Sequence, residues 1–202
     1  MKNANKKTKI IVSIICIVIF ICVSCAIVSL NFPVFYDNKI VDIELNEYTI
    51  DNNGQKVKCH EIKNVIPGEK ISKVIEITCK PGSADCYIRT KININNKNEE
   101  LTENENLITI KNLDIDKTKW LYCNQDGYWY YNLKLTQDSN SAILFTKIDM
   151  PLKINNMFAL EEFEINVTVE SIQAKNFTPN FNEDSKNPWF GINENDIKKF
   201  WY

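Results

Sequence analysis

The stretch that decides the fold is Glu162-Phe-Glu-Ile-Asn-Val-Thr-Val-Glu-Ser-Ile-Gln-Ala-Lys-Asn-Phe177. Over residues 163–169, apolar and mostly β-branched side chains alternate with polar ones. A period of two predicts a β-strand with one face in a core and a polar face turned to solvent or to an assembly partner. At Ser171-Ile172 the alternation slips by one residue, so we predict a β-bulge there.

Similar alternation recurs along the chain and predicts about eight short strands. The further candidates are residues 39–47, 57–61, 74–79, 86–94, 107–110, 120–123, 128–131 and 143–149. Aromatic runs on both sides of Asp126-Gly127 are typical of a hairpin. Short strands separated by turns predict an all-β fold, an antiparallel β-sandwich over residues 38–177.

Residues 178–202 form a polar tail with a more apolar end. Ile197, Phe200 and Trp201 follow helical spacing, which predicts a short amphipathic helix over residues 193–201. This helix either docks on the domain or contacts a membrane surface or a partner.

A basic segment and a long apolar run begin the chain. Residues 1–9 contain four lysines, and residues 10–31 carry no charge. As a helix, residues 10–30 would span roughly 31 Å, about the thickness of the hydrocarbon core of a bilayer. The lysines predict a cytoplasmic N-terminus and an exported remainder. The length of the run favours a retained single-pass anchor in the cell membrane, whereas Ser24-Cys25-Ala26 would suit a signal peptidase and release a secreted protein.

Four cysteines follow the apolar run: Cys59, Cys79, Cys86 and Cys123. An even number in an exported domain suggests two disulfides. Cys79 and Cys86 flank a Pro-Gly turn between two predicted strands, which favours a Cα separation near the ~5.5 Å of a disulfide. We therefore prefer Cys79–Cys86, with Cys59–Cys123 by elimination, and keep four buried free thiols as the alternative.

Charge and composition count against several function classes. The net charge is −2, so there is no basic surface for nucleic acid. His60 is the single histidine, whereas zinc sites draw on several His or Cys ligands. Cys59 and His60 are adjacent on a predicted strand, so they face opposite sides and cannot form a nucleophile–base pair. We expect no catalytic residue, metal site or cofactor.

The aromatic residues of the predicted hairpin are candidates for a binding patch that contacts glycan or protein. They are Trp120, Tyr128, Trp129, Tyr130 and Tyr131. Alternate members of a strand face opposite sides, so half are expected in the core and half on the surface. Core packing and cross-strand pairing would explain the same cluster without any ligand.

Several short motifs follow one another in a characteristic order and together cover most of residues 39–190. They are Val41-Asp-Ile-Glu-Leu45, Ile66-Pro-Gly-Glu69, Gly82-Ser-Ala-Asp-Cys-Tyr-Ile-Arg89, Trp120, Asp126-Gly-Tyr-Trp-Tyr-Tyr131, Leu144-Phe145, Ile148, Pro151, Val169-Glu-Ser-Ile-Gln-Ala-Lys-Asn-Phe177, Asn176-Phe-Thr-Pro-Asn-Phe181 and Pro188-Trp189. In the order and spacing of these motifs the chain resembles the camelysin/TasA-like family of exported Gram-positive proteins.

The resemblance implies a jelly-roll-like β-sandwich that serves as a subunit of extracellular biofilm matrix fibres. In such fibres an N-terminal strand of one subunit completes the sheet of the next. By resemblance, the donated strand here contains Lys39, Ile40, Val41, Ile43 and Leu45. The chain departs from the family at residues 30–36, where Leu-Asn-Phe-Pro-Val-Phe-Tyr replaces the small-residue cleavage stretch.

Three functions follow, in order of preference. The first is a non-enzymatic surface or matrix subunit that self-associates or binds other matrix proteins. The second is a membrane-anchored binding or adhesion module that acts as a monomer. The third, disfavoured by the missing ligands, is a metalloendopeptidase, as some camelysin-like relatives are described.

Overall fold

The computed structural model describes residues 39–58, 65–96, 108–152, 163–182 and 187–201. These residues fall within one compact unit, Lys39–Tyr202. The predicted N-terminal helix, Cys59 and His60 lie outside the described residues. Within them, no helix has the length and apolar character needed to cross a bilayer.

The described residues form nine strands in two antiparallel sheets. The strands are β1 Ile43–Ile50, β2 Lys56–Lys58, β3 Lys70–Cys79, β4 Cys86–Asn96, β5 Trp120–Cys123, β6 Tyr128–Tyr131, β7 Ser141–Asp149, β8 Phe163–Gln173 and β9 Lys198–Trp201. One sheet has the order β2-β1-β3-β7 and the other β5-β6-β4-β8-β9. The all-β architecture predicted from alternation is confirmed.

The inner faces of the two sheets share one buried cluster of apolar side chains. Ile88 of β4 and Val169 of β8 belong to it together with Ile77 of β3 and Leu144 of β7, and all four are fully buried. Burial of such a side chain contributes about 1.5–3 kcal/mol relative to exposure. The alternation along β4 and β8 is therefore the sequence feature that fixes the core.

The bulge predicted near Ser171 is wrong. β8 pairs with β4 residue by residue from Phe163 to Gln173 without a register shift. The pattern slips because both faces of β8 are buried there. Ser171 is buried on the face of Val169, and Ile172 packs on the outer face in a second apolar cluster. The register shifts that do occur lie between β3 and β7, at residues 72–76.

The helix predicted over residues 193–201 is also wrong. A 3-10 turn, Glu194–Asp196, is followed by β9, which pairs antiparallel with the edge of β8. Ile197 packs against the outer cluster and Phe200 against the main core. Ile197 and Phe200, which helical spacing had placed on one face, therefore pack in two separate apolar clusters. Near the predicted edge strand 107–110, a 3-10 turn occupies Ile110–Asn112.

The outer edge of β7 is closed by side chains from other parts of the chain. The Oδ1 of Asp114 accepts hydrogen bonds from the amides of Thr146 and Lys147 at 2.7 and 2.9 Å. The indole Nε1 of Trp120 donates to the carbonyl of Ile143 at 2.8 Å. Satisfied edge groups make this side of the sheet a poor template for pairing with another chain.

The preferred disulfide, Cys79–Cys86, is not formed in the structure. Both residues are buried free thiols, at the end of β3 and the start of β4. Burial raises the pKa of the Cys86 thiol, and neighbouring Cys79 acts in the same direction. Uncharged thiols pack in apolar surroundings as small hydrophobic groups, which explains their place in the core. The second suggested pair includes Cys59, which lies outside the described residues.

Candidate functional site

The outer face of the five-stranded sheet carries a row of polar side chains. Tyr130 of β6, Arg89 of β4, Glu170 of β8 and Lys199 of β9 are direct cross-strand neighbours. The alternation of β8 predicted a solvated Glu170, yet this residue is only 1% exposed and Tyr130 is fully buried. Other side chains therefore shield the outer face of the five-stranded sheet from solvent around Glu170 and Tyr130.

Glu170 has hydrogen-bond donors on both carboxylate oxygens. The Nε and Nη2 of Arg89 lie 2.8 and 2.6 Å from its Oε2. The hydroxyl of Tyr128 donates to Oε1 at 3.0 Å, and the Nζ of Lys199 lies 3.2 Å from the same oxygen. A buried carboxylate needs such compensation, because an unpaired charge in a low-dielectric site is costly.

The other side of Arg89 ties the β5–β6 hairpin to the sheet. Its Nη1 donates to the hydroxyl of Tyr130 at 2.8 Å, and that hydroxyl donates to the Oδ2 of Asp126 at 2.5 Å. The Oδ1 of Asp126 accepts from the amide of Tyr128 at 3.1 Å. The turn between the two aromatic strands is thus bonded to a strand far away in sequence.

Aromatic rings enclose the guanidinium of Arg89. Its Cζ lies 4.0 Å from the ring centroid of Tyr128, 4.8 Å from that of Trp189 and 5.7 Å from that of Tyr130. These distances are within the range of cation–π attraction. We call Arg89, Asp126, Tyr128, Tyr130 and Glu170 the arginine cluster, and Trp189 packs against its Arg89 and Tyr130.

The protonation states of the cluster follow from its contacts. Burial alone would raise the pKa of Glu170, but the hydrogen bonds and charge of Arg89, with Lys199 and Tyr128, lower it below its usual value. Burial and the hydrogen bond to Asp126 raise the pKa of Tyr130. At neutral pH the cluster holds a carboxylate and a guanidinium paired with each other, beside neutral phenols.

The predicted binding patch is divided between the two faces of the sheet. Trp120, Trp129 and Tyr131 are buried in the main core, Tyr130 is buried in the outer cluster, and Tyr128 is half-buried. These positions favour packing over ligand contact. The exposed aromatic residue of the same hairpin is Tyr122, 47% exposed, whose ring centroid lies 5.0 Å from that of Trp129.

The predicted donated strand lies in the sheet of its own chain only from Ile43, where β1 begins, and residues 39–42 precede the sheet. Val41 and Ile43 are buried in the main core, Leu45 packs partly against it, Ile40 is exposed, and Lys39 accepts a hydrogen bond from Gln173 at its carbonyl. The carbonyls of Ile40 and Val41 also accept hydrogen bonds, from the amide of Ala84 at 3.1 Å and from Lys198 Nζ at 3.2 Å.

A shallow groove of about 410 Å³ lies on the four-stranded sheet. Tyr48, Ile50, Val74 and Ile143 supply its apolar surface, and Lys70 and Lys147 also line it. Ile50 and Ile143 are each more than 40% exposed. The groove therefore combines apolar contact area with positive charge.

Sequence reasoning missed the arginine cluster as a unit, although it named two of its tyrosines. Arg89, Asp126 and Glu170 belong to three separate strands or turns.

In the described part of the chain, no three His, Cys, Asp or Glu side chains converge as metal ligands would. Comparisons of the chain with protein-family models, curated proteins and solved structures find no match.

Proposed function

We propose that the protein is a non-enzymatic β-sandwich of the cell surface or extracellular matrix, exported by the apolar run 10–31. It associates with copies of itself or with other matrix proteins. The resemblance to the camelysin/TasA-like family, with its jelly-roll-like fold, is part of this proposal. In the anchored form, a single N-terminal helix holds the domain outside the cell membrane.

The contacts of the charged residues in the arginine cluster support a non-enzymatic role, because they stabilise the fold. Arg89 and Glu170 are paired with each other, and the ring of Trp189 packs against the guanidinium of Arg89. Their hydrogen bonds join the β5–β6 hairpin, the sheet and the C-terminal end of the domain. These contacts stabilise the fold, and they pair the charges of Arg89 and Glu170 with each other.

The observation that carries the assembly part of the proposal is the position of residues 39–45. This segment follows the apolar run 10–31 after seven residues and places Val41 and Ile43 in the core. Ile43 and Leu45 lie opposite Cys79 and Ile77 of β3. The same segment from a second copy has the side chains needed to fill an equivalent position, which is the requirement for strand donation.

A cysteine cross-link tests strand donation. Ile43 and Cys79 are direct antiparallel partners, and such pairs have Cα separations of about 4.5–5.5 Å, within disulfide range. We would introduce Ile43→Cys into the full chain with Cys86→Ala, which removes the neighbouring thiol. After mild oxidation, donation gives a ladder of covalent multimers on non-reducing gels.

The control is the Cys86→Ala chain without Ile43→Cys, which should give no ladder. A quantitative cross-link within single chains, with no covalent multimers in concentrated or surface-extracted material, would contradict donation through this strand. The exported location is tested separately by protease treatment of intact cells, which should degrade the domain.

A monomeric, membrane-anchored binding module is the second candidate, and the groove on the four-stranded sheet favours it. Apolar residues beside Lys70 and Lys147 offer contact area and charge to an anionic ligand. Replacement of Ile143 by Ser would weaken such binding while leaving the core intact, because this residue is 44% exposed.

A further inference from the structure

The C-terminal segment, residues 187–201, contacts the five-stranded sheet in the manner of a bound peptide. Its own backbone hydrogen bonds form local turns, such as Phe190 N to the Asn187 carbonyl at 3.1 Å and Ile192 N to the Trp189 carbonyl at 3.3 Å. Its contacts with the sheet combine an aromatic anchor with a short strand. Extended peptides are commonly recognised by sheets through these two kinds of contact.

The anchor is Trp189, which is 4% exposed. Its ring meets those of Tyr130 and Phe177 edge-on at 5.7 and 6.2 Å, and the guanidinium of Arg89 lies over it. A large aromatic side chain buried in a preformed cluster is typical of the residues that dominate binding energy at interfaces. The neighbouring Phe190 is 63% exposed, so Trp189 is the buried aromatic residue of the pair.

The strand contact is made at the edge of the sheet. β9 pairs with Thr168–Ser171 of β8, and Lys199 lies against the otherwise buried Glu170. Because β9 is an edge strand, its departure breaks its pairing with β8 and no other strand pairing. The surface it leaves has a negative group opposite the position of Lys199 and open backbone groups along β8.

The connection to the domain gives the segment considerable reach. Nine residues lie between Phe177 and Asn187, which makes ten Cα-to-Cα steps, and they are largely polar with Pro179 among them. At ~3.4 Å per residue, such a connection spans up to about 35 Å when extended. This distance is comparable to the width of a small domain, so the segment can reach the same surface of a neighbouring copy once Phe181 leaves the outer cluster and the Asn180–Pro188 hydrogen bond opens.

We propose that the outer face of β4, β6 and β8, with the edge of β8, is a docking surface that accepts the C-terminal segment of a second copy of this chain. Exchange replaces each contact within one chain by the identical contact between chains, so its cost is confined to the connection. The inference rests on the proposed self-association and names a contact for it other than the donation of residues 39–45.

A peptide of residues 187–202 tests the docking surface. We would label it with fluorescein and titrate it with full-length Trp189→Ala chain, whose own segment has lost its anchor. The peptide should bind this variant at least about tenfold more tightly than a peptide carrying Trp189→Ala, as expected for a hot-spot residue. Wild-type chain should bind it more weakly, because its own segment occupies the surface.

Two further variants keep the test decisive. A peptide with Phe190→Ala should bind like the wild-type peptide, since that side chain is exposed. Should the Trp189→Ala chain fail to fold, a Lys199→Glu chain replaces it, because a like charge against Glu170 weakens β9 pairing without removing a core side chain. Equal binding of the wild-type and Trp189→Ala peptides would overturn the proposal.

The mass of the native particle separates this inference from the proposed function. Loss of multimers in the Trp189→Ala chain, but not in the Phe190→Ala chain, supports exchange as an assembly contact. Multimers that persist in the Trp189→Ala chain overturn exchange and leave self-association standing. A wild-type chain that is monomeric at every concentration overturns self-association and, with it, exchange.

Discussion

Removal of Arg89 should destabilise the domain strongly, because it leaves Glu170 buried without its principal partner. Breaking a buried ion pair by removing one member typically costs 3–5 kcal/mol. Glu170 would keep the Tyr128 hydroxyl and Lys199, so we expect the lower end for Arg89→Met, about 3 kcal/mol. With a urea dependence of about 2 kcal/mol per molar, the unfolding midpoint falls by about 1.5 M.

The assay is urea unfolding of the Lys39–Tyr202 unit, followed by tryptophan fluorescence and circular dichroism. The double variant Arg89→Met/Glu170→Leu should recover much of the loss, since replacing both members of a buried pair by apolar groups is often near neutral. The matched control is Lys134→Met, which breaks a surface pair with Asp85 at 3.2 Å and should cost under about 1 kcal/mol. If Arg89→Met costs no more than Lys134→Met, the argument for a closed, buried cluster is refuted.

Other perturbations probe single features of the fold. The pKa of Glu170 is lower in the folded chain than in the unfolded chain, so its carboxylate stabilises the fold above the unfolded pKa. This stabilisation is lost as the pH falls through the folded pKa. The stability advantage of wild type over Glu170→Gln should therefore shrink below about pH 4 in acid titrations. Gly68→Ala and Gly54→Ala should each cost about 1–2 kcal/mol in urea unfolding, because both glycines have φ of +78°. Asp114→Ala should lower stability by about 1–2 kcal/mol and speed hydrogen exchange of the two β7 amides it accepts from. Iodoacetamide should label Cys86 slowly until urea is added, as mass spectrometry would show, because burial raises its pKa.

Period-two alternation predicted the core correctly, because the face to which a strand residue points depends only on local backbone geometry. The pairing of β4 with β8 buries the apolar positions that alternation assigned to one face. The hairpin of β5 and β6 was predicted with its observed bounds, since the Asp126-Gly127 turn and its aromatic flanks are contiguous. Such features need no knowledge of distant parts of the chain.

The errors arose where distant residues cover a face that local pattern leaves open. The slip at Ser171-Ile172 had the right position but the wrong cause, because Ile172 packs on an outer cluster to which Trp189 contributes. Glu170 was expected to be solvated, since its partner Arg89 is 81 residues away. The signal of this second cluster in the sequence was Ile172, which interrupts the otherwise polar face of β8.

The C-terminal error has a related cause. Spacing of three and four residues suits a helix, yet it also suits a chain that turns and then pairs with an edge. Ile197 precedes β9 and Phe200 lies within it, and they reach different clusters. Short apolar patterns do not reveal whether a sheet edge is available, so the choice between helix and strand depended on tertiary structure.

The mass of the native particle distinguishes a self-associating exported chain from a monomeric one. We would extract full-length protein from the membrane of expressing bacteria in mild detergent, collect any released form from the medium, and measure both by mass photometry. Self-association predicts particles at multiples of the subunit mass, which is 23.5 kDa for the intact chain. A single population at the mass of one subunit, at every concentration and in both fractions, would contradict it.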